Sequence, residues 1–216
     1  MSNKRWAVVA IGMAAAVLVS GCATTGYQKA EKSTVSMGNT KAEVQNAYGQ
    51  VTLAVNALDK LMGAQVGDLR PLYESFAAEV KRLQSAAESA RSRAQSMQVK
   101  NQDYFATWAQ EIDNILDPAI KSQSLQRYKA AKASYLKVEQ SLFKTGDACK
   151  PLISSLTDLQ TAISQDLTPA GINAVRTPYT QARQKAIDLQ KVMKDSMAAV
   201  DAASKQLTSS ASGASR

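Results

Sequence analysis

The chain of 216 residues contains no histidine. That excludes a Ser-His-Asp triad, an imidazole general base and the Glu-x-x-His pairs of di-iron helical bundles. There are two cysteines, Cys22 and Cys149, and neither has an imidazole to lower its pKa, so thiol-protease chemistry is excluded too. No glycine-rich phosphate loop is present, because Gly63 and Gly67 lack the following Lys-Ser/Thr of a nucleotide site. Aromatic residues make up 6% of the chain and are not interleaved with Lys/Arg blocks, so no nucleic-acid partner is expected. Acidic residues gather at Asp103, Glu111, Asp113 and Asp117, but Glu111 and Asp113 stand two apart and cannot share a helical face. A solvated surface explains them better than a paired-carboxylate site. No catalytic, metal or cofactor constellation remains, and a non-enzymatic role is expected.

What is present begins at the N-terminus. Lys4 and Arg5 precede an apolar run from Trp6 to Val19, which ends in Val19-Ser20-Gly21-Cys22. The run is short of the ~20 residues that cross a bilayer, so a cleaved secretory signal over residues 1–21 fits better than a membrane span. Small residues followed directly by a cysteine resemble the lipobox of bacterial lipoprotein signals. That resemblance covers residues 1–22 and implies that Cys22 becomes the new N-terminus, carrying a diacylglycerol and an N-acyl chain such as palmitate. Two or more chains give stable attachment where one is marginal. Ala23, not Asp, follows the cysteine, which by the enterobacterial sorting rule implies the periplasmic face of the outer membrane. A thioether at Cys22 would leave Cys149 as an odd thiol in an oxidising compartment, either buried or bridged to another molecule.

Beyond the anchor, apolar and small residues recur at alternating steps of three and four. One series runs Phe76, Leu83, Ala90, Met97, Tyr104, and its companion Tyr73, Val80, Ala87, Ala94, Asn101, Trp108, Ile115. These are coiled-coil seams sustained over about six heptads. Asn101, a lone polar residue in the seam, is expected to fix register. A third segment repeats the pattern through Tyr128, Tyr135, Leu142, Cys149, Leu156 and Ile163, with Ala131, Val138, Thr145, Leu152 and Leu159 beside them. Cys149 thus reads as a small core residue. The fourth carries Ile172, Tyr179, Ala186, Met193, Val200 and Leu207 with Val175, Ala182, Leu189, Ser196 and Ala203. The first carries Met37, Val44, Val51 and Leu58 with Thr40, Ala47, Ala54 and Leu61, and Tyr27, Ala30 and Thr34 extend its phase towards the anchor.

Turn signals fall between the segments: Gly63, Gly67 and Asp68, then Asp117-Pro118, then Thr168-Pro169. Short connections favour antiparallel neighbours. The fold class is therefore all-α, an elongated antiparallel four-helix bundle of coiled-coil type. Residues 22–36 form the anchor and the start of the first helix, 37–207 the bundle, and 208–216 a disordered tail. Pro151 and Pro178 lie inside the third and fourth segments, where a kink or a restarted helix is expected. Seams so rich in Ala and Ser are expected to close tightly.

The mature chain as a whole resembles a family of uncharacterised Gram-negative lipoproteins known only as a domain of unknown function. The likeness rests on the lipobox, long Ala/Lys/Gln-rich helices and the opening Tyr27-Gln28-Lys29-Ala30. It implies no activity and no functional residues. The major peptidoglycan-linked lipoprotein is a weaker likeness, a short trimeric helix joined to the wall through a C-terminal lysine, whereas this chain ends Ala214-Ser215-Arg216.

Loss of Lys4 and Arg5 with the signal lowers the formal charge of +8 by two. Lys121, Arg127, Lys129, Lys132, Lys137, Lys144 and Lys150 face only Glu139 and Asp147 over residues 119–150, a soluble helix exterior or a surface for anionic lipid or peptidoglycan. The expected role is a structural spacer or helical adaptor for an envelope protein or the cell wall. The alternative is a periplasmic binding protein holding a lipid or other apolar ligand near Trp108. Tyr104 and Trp108 are the candidate partner face, although helical spacing makes core packing their default role. For the anchor, Cys22→Ser should yield a soluble or uncleaved protein with no acyl chain by mass spectrometry. Normal outer-membrane fractionation of that variant would exclude lipidation at Cys22.

Overall fold

A computed structural model describes residues 26–64 and 67–212, so the signal, Val19, Ser20, Gly21 and Cys22 lie outside the described residues. The described chain is all-α: α1 (Gly26–Gly63), α2 (Arg70–Asp113), α3 (Pro118–Gln165), α4 (Pro169–Ala174) and α5 (Arg176–Ser212). Around the bundle, α1 packs on α2 and α5, and α3 packs on the same two. Consecutive long helices run antiparallel, with the single short helix α4 set into the last connection. At ~1.5 Å per residue, the 44 residues of α2 span about 66 Å and the 48 of α3 about 72 Å. A compact globule of this size would have a radius of gyration of ~16 Å. The body is a rod.

Burial follows the sequence period closely. Met37, Val44, Val51, Leu58 and Leu61 of α1, Tyr135, Val138, Leu152, Leu156, Leu159 and Ile163 of α3, and Ala182, Leu189, Met193, Val200 and Leu207 of α5 are all buried. In α2 the phase departs from a strict heptad. Phe105 and Ile112 are buried where the seven-residue series places Tyr104 and Glu111. An α-helix with 3.6 residues per turn drifts ~20° per heptad, so over five heptads the inward face moves on by one residue.

Two polar pairs cross the seams between helices. The Ser33 hydroxyl of α1 donates to Asn101 Oδ1 of α2, and Asn101 Nδ2 donates to the Met97 carbonyl at 2.9 Å. Asn101 therefore ties α1 to α2 at one level, the register role expected of it. Thr145 and Ser196 pair across α3 and α5 at 2.8 Å, and Ser196 also donates to the Ser141 carbonyl at 2.8 Å. This polar layer separates the core into two parts. The larger is aliphatic and runs from Val44 through Leu83 and Leu156 to Ile172; the smaller contains Met37, Met97, Phe105, Tyr135 and Val200.

The turns form where short polar residues meet proline or glycine. Asp117 caps α3, its carboxylate accepting the Ala119 and Ile120 N–H groups at 2.8 and 2.9 Å, with Pro118 at the first helical position. Gly67 takes φ 97°, which favours glycine, and Asp68 accepts the Arg70 N–H at 3.0 Å as α2 begins. Thr168 caps α4 by accepting the Gly171 N–H at 3.2 Å. Gly171 is required there, since a Cβ would stand 2.1 Å from the Asp166 carbonyl oxygen.

The restart expected at Pro178 is present: the fourth segment breaks at Val175 and begins again as α5. Pro178 has no N–H for the Ala174 carbonyl and its ring crowds that carbonyl, so the helix cannot pass through. At Pro151 the restart expected is absent: α3 runs on from Pro118 to Gln165, and the exposed position of Pro151 leaves the carbonyl that loses its N–H partner within reach of water. The tail assigned from residue 208 is helical to Ser212, since nothing before Gly213 opposes a helix and the Thr208 hydroxyl donates back to the Ser204 carbonyl at 3.1 Å.

Two glycine substitutions should move stability in opposite directions. Gly146 sits inside α3 with open space where a Cβ would go, so Gly146→Ala should stabilise by ~0.5–1 kcal/mol, read as a higher thermal midpoint. Gly171→Ala should lower it, at a cost of ~1–3 kcal/mol for the forced contact with Asp166.

Candidate functional site

The most open interface of the bundle lies between α2 and α3. On the α2 side the seam reads Ala87, Ala90, Ala94, and these residues are only partly buried. Across from them stand Leu142, Phe143, Gly146, Cys149 and Ile153 of α3, with Val44, Ala47 and Met193 forming the floor. Methyl groups facing a glycine fill little space, while the helix axes are held apart by larger side chains above and below. A cavity of about 340 Å³ results. It is apolar inside, and its rim carries Gln84, Glu88, Arg91, Gln98, Glu139 and Lys150. Its size is at the lower end of the ~300–1,000 Å³ usual for ligand pockets. The expectation that seams of Ala close tightly fails here, because close approach needs small residues without large ones beside them.

The Trp108 region is built differently. Trp108 and Tyr104 are half-buried and pack in an aromatic group with Phe105, Tyr128 and Tyr135. Tyr128 meets the Trp108 ring edge-on at 5.5 Å, and Phe105 stacks on Trp108 at 6.2 Å. Tyr104 lies 5.6 Å from Trp108. These rings fill the space between α2 and α3, so the structure brings the two candidate residues together as core packing. The apolar cavity lies further along the same interface. The signal for it was present in the run Ala87, Ala90, Ala94 opposite Gly146, read by volume and not by period.

Cys149 is a free thiol, buried in the seam and bordering the cavity. Burial pushes its pKa up, which keeps it protonated and unreactive near neutral pH. Burial also raises the Tyr104 hydroxyl to about 12, with the nearby Glu111 carboxylate adding to the effect. Tyr135 is raised for the same reason, with Glu139 as the second contributor, and its hydroxyl has no hydrogen-bond partner.

The acidic residues near the end of α2 disperse to separate local tasks. Glu111 pairs with Lys29 of α1 at 3.0 Å, Asp113 stands 3.8 Å from Lys121, and Asp117 serves as the α3 cap. The basic residues of α3 are mostly exposed; Lys132 lies over the Tyr128 ring and Lys150 pairs with Asp147 at 3.0 Å. No described helix is long and apolar enough to cross a membrane.

Sequence comparison gives one finding. A family described as protein of unknown function (DUF2959) matches residues 20–207. No curated protein and no solved structure matches the chain.

The tyrosines generate a pH test. A folded-state pKa raised above the ordinary 10 means that the stabilising contribution is whole below pH ~10 and is lost as pH rises towards the folded value, about 12 for Tyr104. Urea unfolding from pH 9 to 11.5 should show stability falling across that window. Tyr104→Phe should flatten the fall, and an unchanged slope would mean that Tyr104 is not shielded. Cys149 should label with a maleimide many-fold more slowly in the native protein than in urea.

Proposed function

The chain belongs to the DUF2959 family of proteins of unknown function, and we propose that it is a lipid-tethered spacer of the bacterial envelope. In this reading Cys22 carries the acyl chains on the periplasmic face of the outer membrane. The rod stands off from the lipid and offers its helical faces to an envelope protein or to peptidoglycan. The observation that carries the proposal is that the chain is already helical at Gly26, the first described residue, and continues from there into a rod about 70 Å long. Three residues lie between Cys22 and Gly26, too few for a long flexible arm. A protein that needed only to roam the periplasm on a leash would have a long linker instead. The exposed basic residues of α3, Lys129, Lys137 and Lys144 among them, suit an anionic surface such as the wall.

A second reading is supported by the cavity. An apolar ligand held against Ala90, Gly146 and Met193 would make this a carrier, at a place other than Trp108. The two readings respond differently to length and to volume. Removing one matched heptad from each of the four long helices shortens the rod by ~10 Å while keeping the seams in phase. A spacer variant of that kind should fail to rescue a deletion strain even though it folds. Ala90→Leu together with Gly146→Leu should fill the cavity and leave a spacer active. The reverse pattern, with the short rod active and the filled cavity inactive, would replace the spacer by the carrier.

A further inference from the structure

The connection between α2 and α3 is unlike the others. Its residues run Asn114, Ile115, Leu116, Asp117, and the first turn of α3 adds Ile120. Leu116 is 96% exposed and Ile120 56%, with Leu125 also on the surface. Helix connections lie in water and are normally polar, so large aliphatic side chains there ask for an apolar surrounding. At the opposite end of the rod, the described residues of the two connections expose no large apolar side chain; Leu69 is buried and Leu167 is partly so.

The exposed tip lies at the end of the rod where α1 begins. The Lys29–Glu111 ion pair sets the first turns of α1 beside the last turn of α2, which places Leu116 level with Gly26 or just beyond it. From Gly26 back to Cys22 the chain can reach about 14 Å at most. Any lipid on Cys22 therefore holds the bilayer surface within about 14 Å of Gly26, at the same end of the rod as Leu116 and Ile120. Ser134 pairs with Gln206, so among the described residues α5 ends near the level of Tyr128. The first turns of α3 stand free of it, and most of their residues are exposed.

Charge at this end suits a lipid surface. Asp117 is engaged by two backbone N–H groups, Glu111 by Lys29, and Asp113 faces Lys121. Glu31 of α1 is an exposed carboxylate at this end, while Arg127 and Lys129 are exposed two to three turns along α3, their long side chains leaning towards the tip and able to reach lipid phosphates.

We infer that the α2–α3 turn is a second membrane contact, which inserts Leu116 and Ile120 into the bilayer that holds the Cys22 anchor and so sets the rod end-on to the membrane. The inference rests on the anchor proposed above. The tether supplies a high local concentration, so a contact too weak to bind a free protein to vesicles is enough here. One covalent point leaves the rod free to tilt; a second contact at the same end restricts it.

The test uses the full-length protein purified from membranes, with Cys149→Ala and either Leu116→Cys or Gly63→Cys labelled with an environment-sensitive fluorophore. Gly63 lies at the far end with open space for a side chain. Each protein is reconstituted in vesicles of phosphatidylethanolamine and phosphatidylglycerol containing a headgroup-level spin-labelled lipid. The label at 116 should be quenched at least twofold more than the label at 63, and Ile120→Asp should remove most of that difference. Equal, solvent-like signals in a protein whose mass shows the acyl chains would overturn the tip contact and leave the anchor standing. A mass without acyl chains would remove the anchor and the tip contact with it. A blue-shifted label at 116 that lipid does not quench would assign the patch to a second copy, and quenching at both positions would mean a rod lying flat; either result overturns the inference.

Discussion

A helix about 70 Å long has every interior backbone hydrogen bond satisfied, yet on its own it buries almost nothing, and this is the constraint from which the rest of the molecule follows. It becomes stable only if one stripe of its surface is removed from water along the whole length. Four helices do that for one another here, and each must keep its stripe in phase with two neighbours. The alternation of threes and fours in the sequence is the trace of that requirement. It explains why proline is tolerated at Pro151, on the outer face, but breaks the chain at Val175, where Pro178 removes a donor before the helix has been established.

The same constraint leaves the side-chain volumes free, and they vary along the rod. Beyond the level of Cys149 the stripe is filled by Leu58, Leu61, Phe76, Leu83, Leu156 and Ile163, all close to fully buried. Near the N-terminal end aromatic rings fill it. Between them come Ala87, Ala90, Ala94 and Gly146 on one side and the Thr145–Ser196 pair on the other. That stretch is left as an apolar groove of about 340 Å³ between α2 and α3, at the level where the two packed cores meet. Several of its lining residues are exposed, so it is open to water and to any apolar ligand that would displace that water.

Period was legible in the sequence; volume and solid-state position were less so. Seam residues of α1, α3 and α5 could be assigned one by one, since a heptad drifts little against neighbours chosen to match it. In α2 the drift of 3.6 against 3.5 accumulated until Phe105 and Ile112 displaced their neighbours, which a list of every seventh residue cannot show. Tyr104 and Trp108 were the candidate partner face, with core packing as their default role, and they lie half-buried in a ring cluster with Phe105 and Tyr128. The cavity was hidden because small seam residues are compatible with close approach or with a gap, and only the facing helix decides which. Leu116 lies outside the seam series of the sequence. Its exposure depends on where α2 stops and α3 turns back, at the Asp117 cap, and not on its own chemistry.

The two ends of the rod carry different physics, and this asymmetry joins the fold to the function proposed. At the far end the chain turns through Gly67, Asp68 and the Thr168 cap, short polar devices that satisfy backbone groups in water. At the other end the turn through Leu116 leaves aliphatic surface uncovered beside the start of α1. An uncovered apolar tip costs free energy in water and gains it in lipid, so placing it next to the chain that leads to Cys22 is economical only if lipid is there. Under the proposed attachment at Cys22, a chain already helical at Gly26 converts a single anchoring point into a defined direction for the whole rod. The far end, held some 70 Å away by helices that cannot shorten without losing their phase, is the natural place for whatever the rod is built to reach.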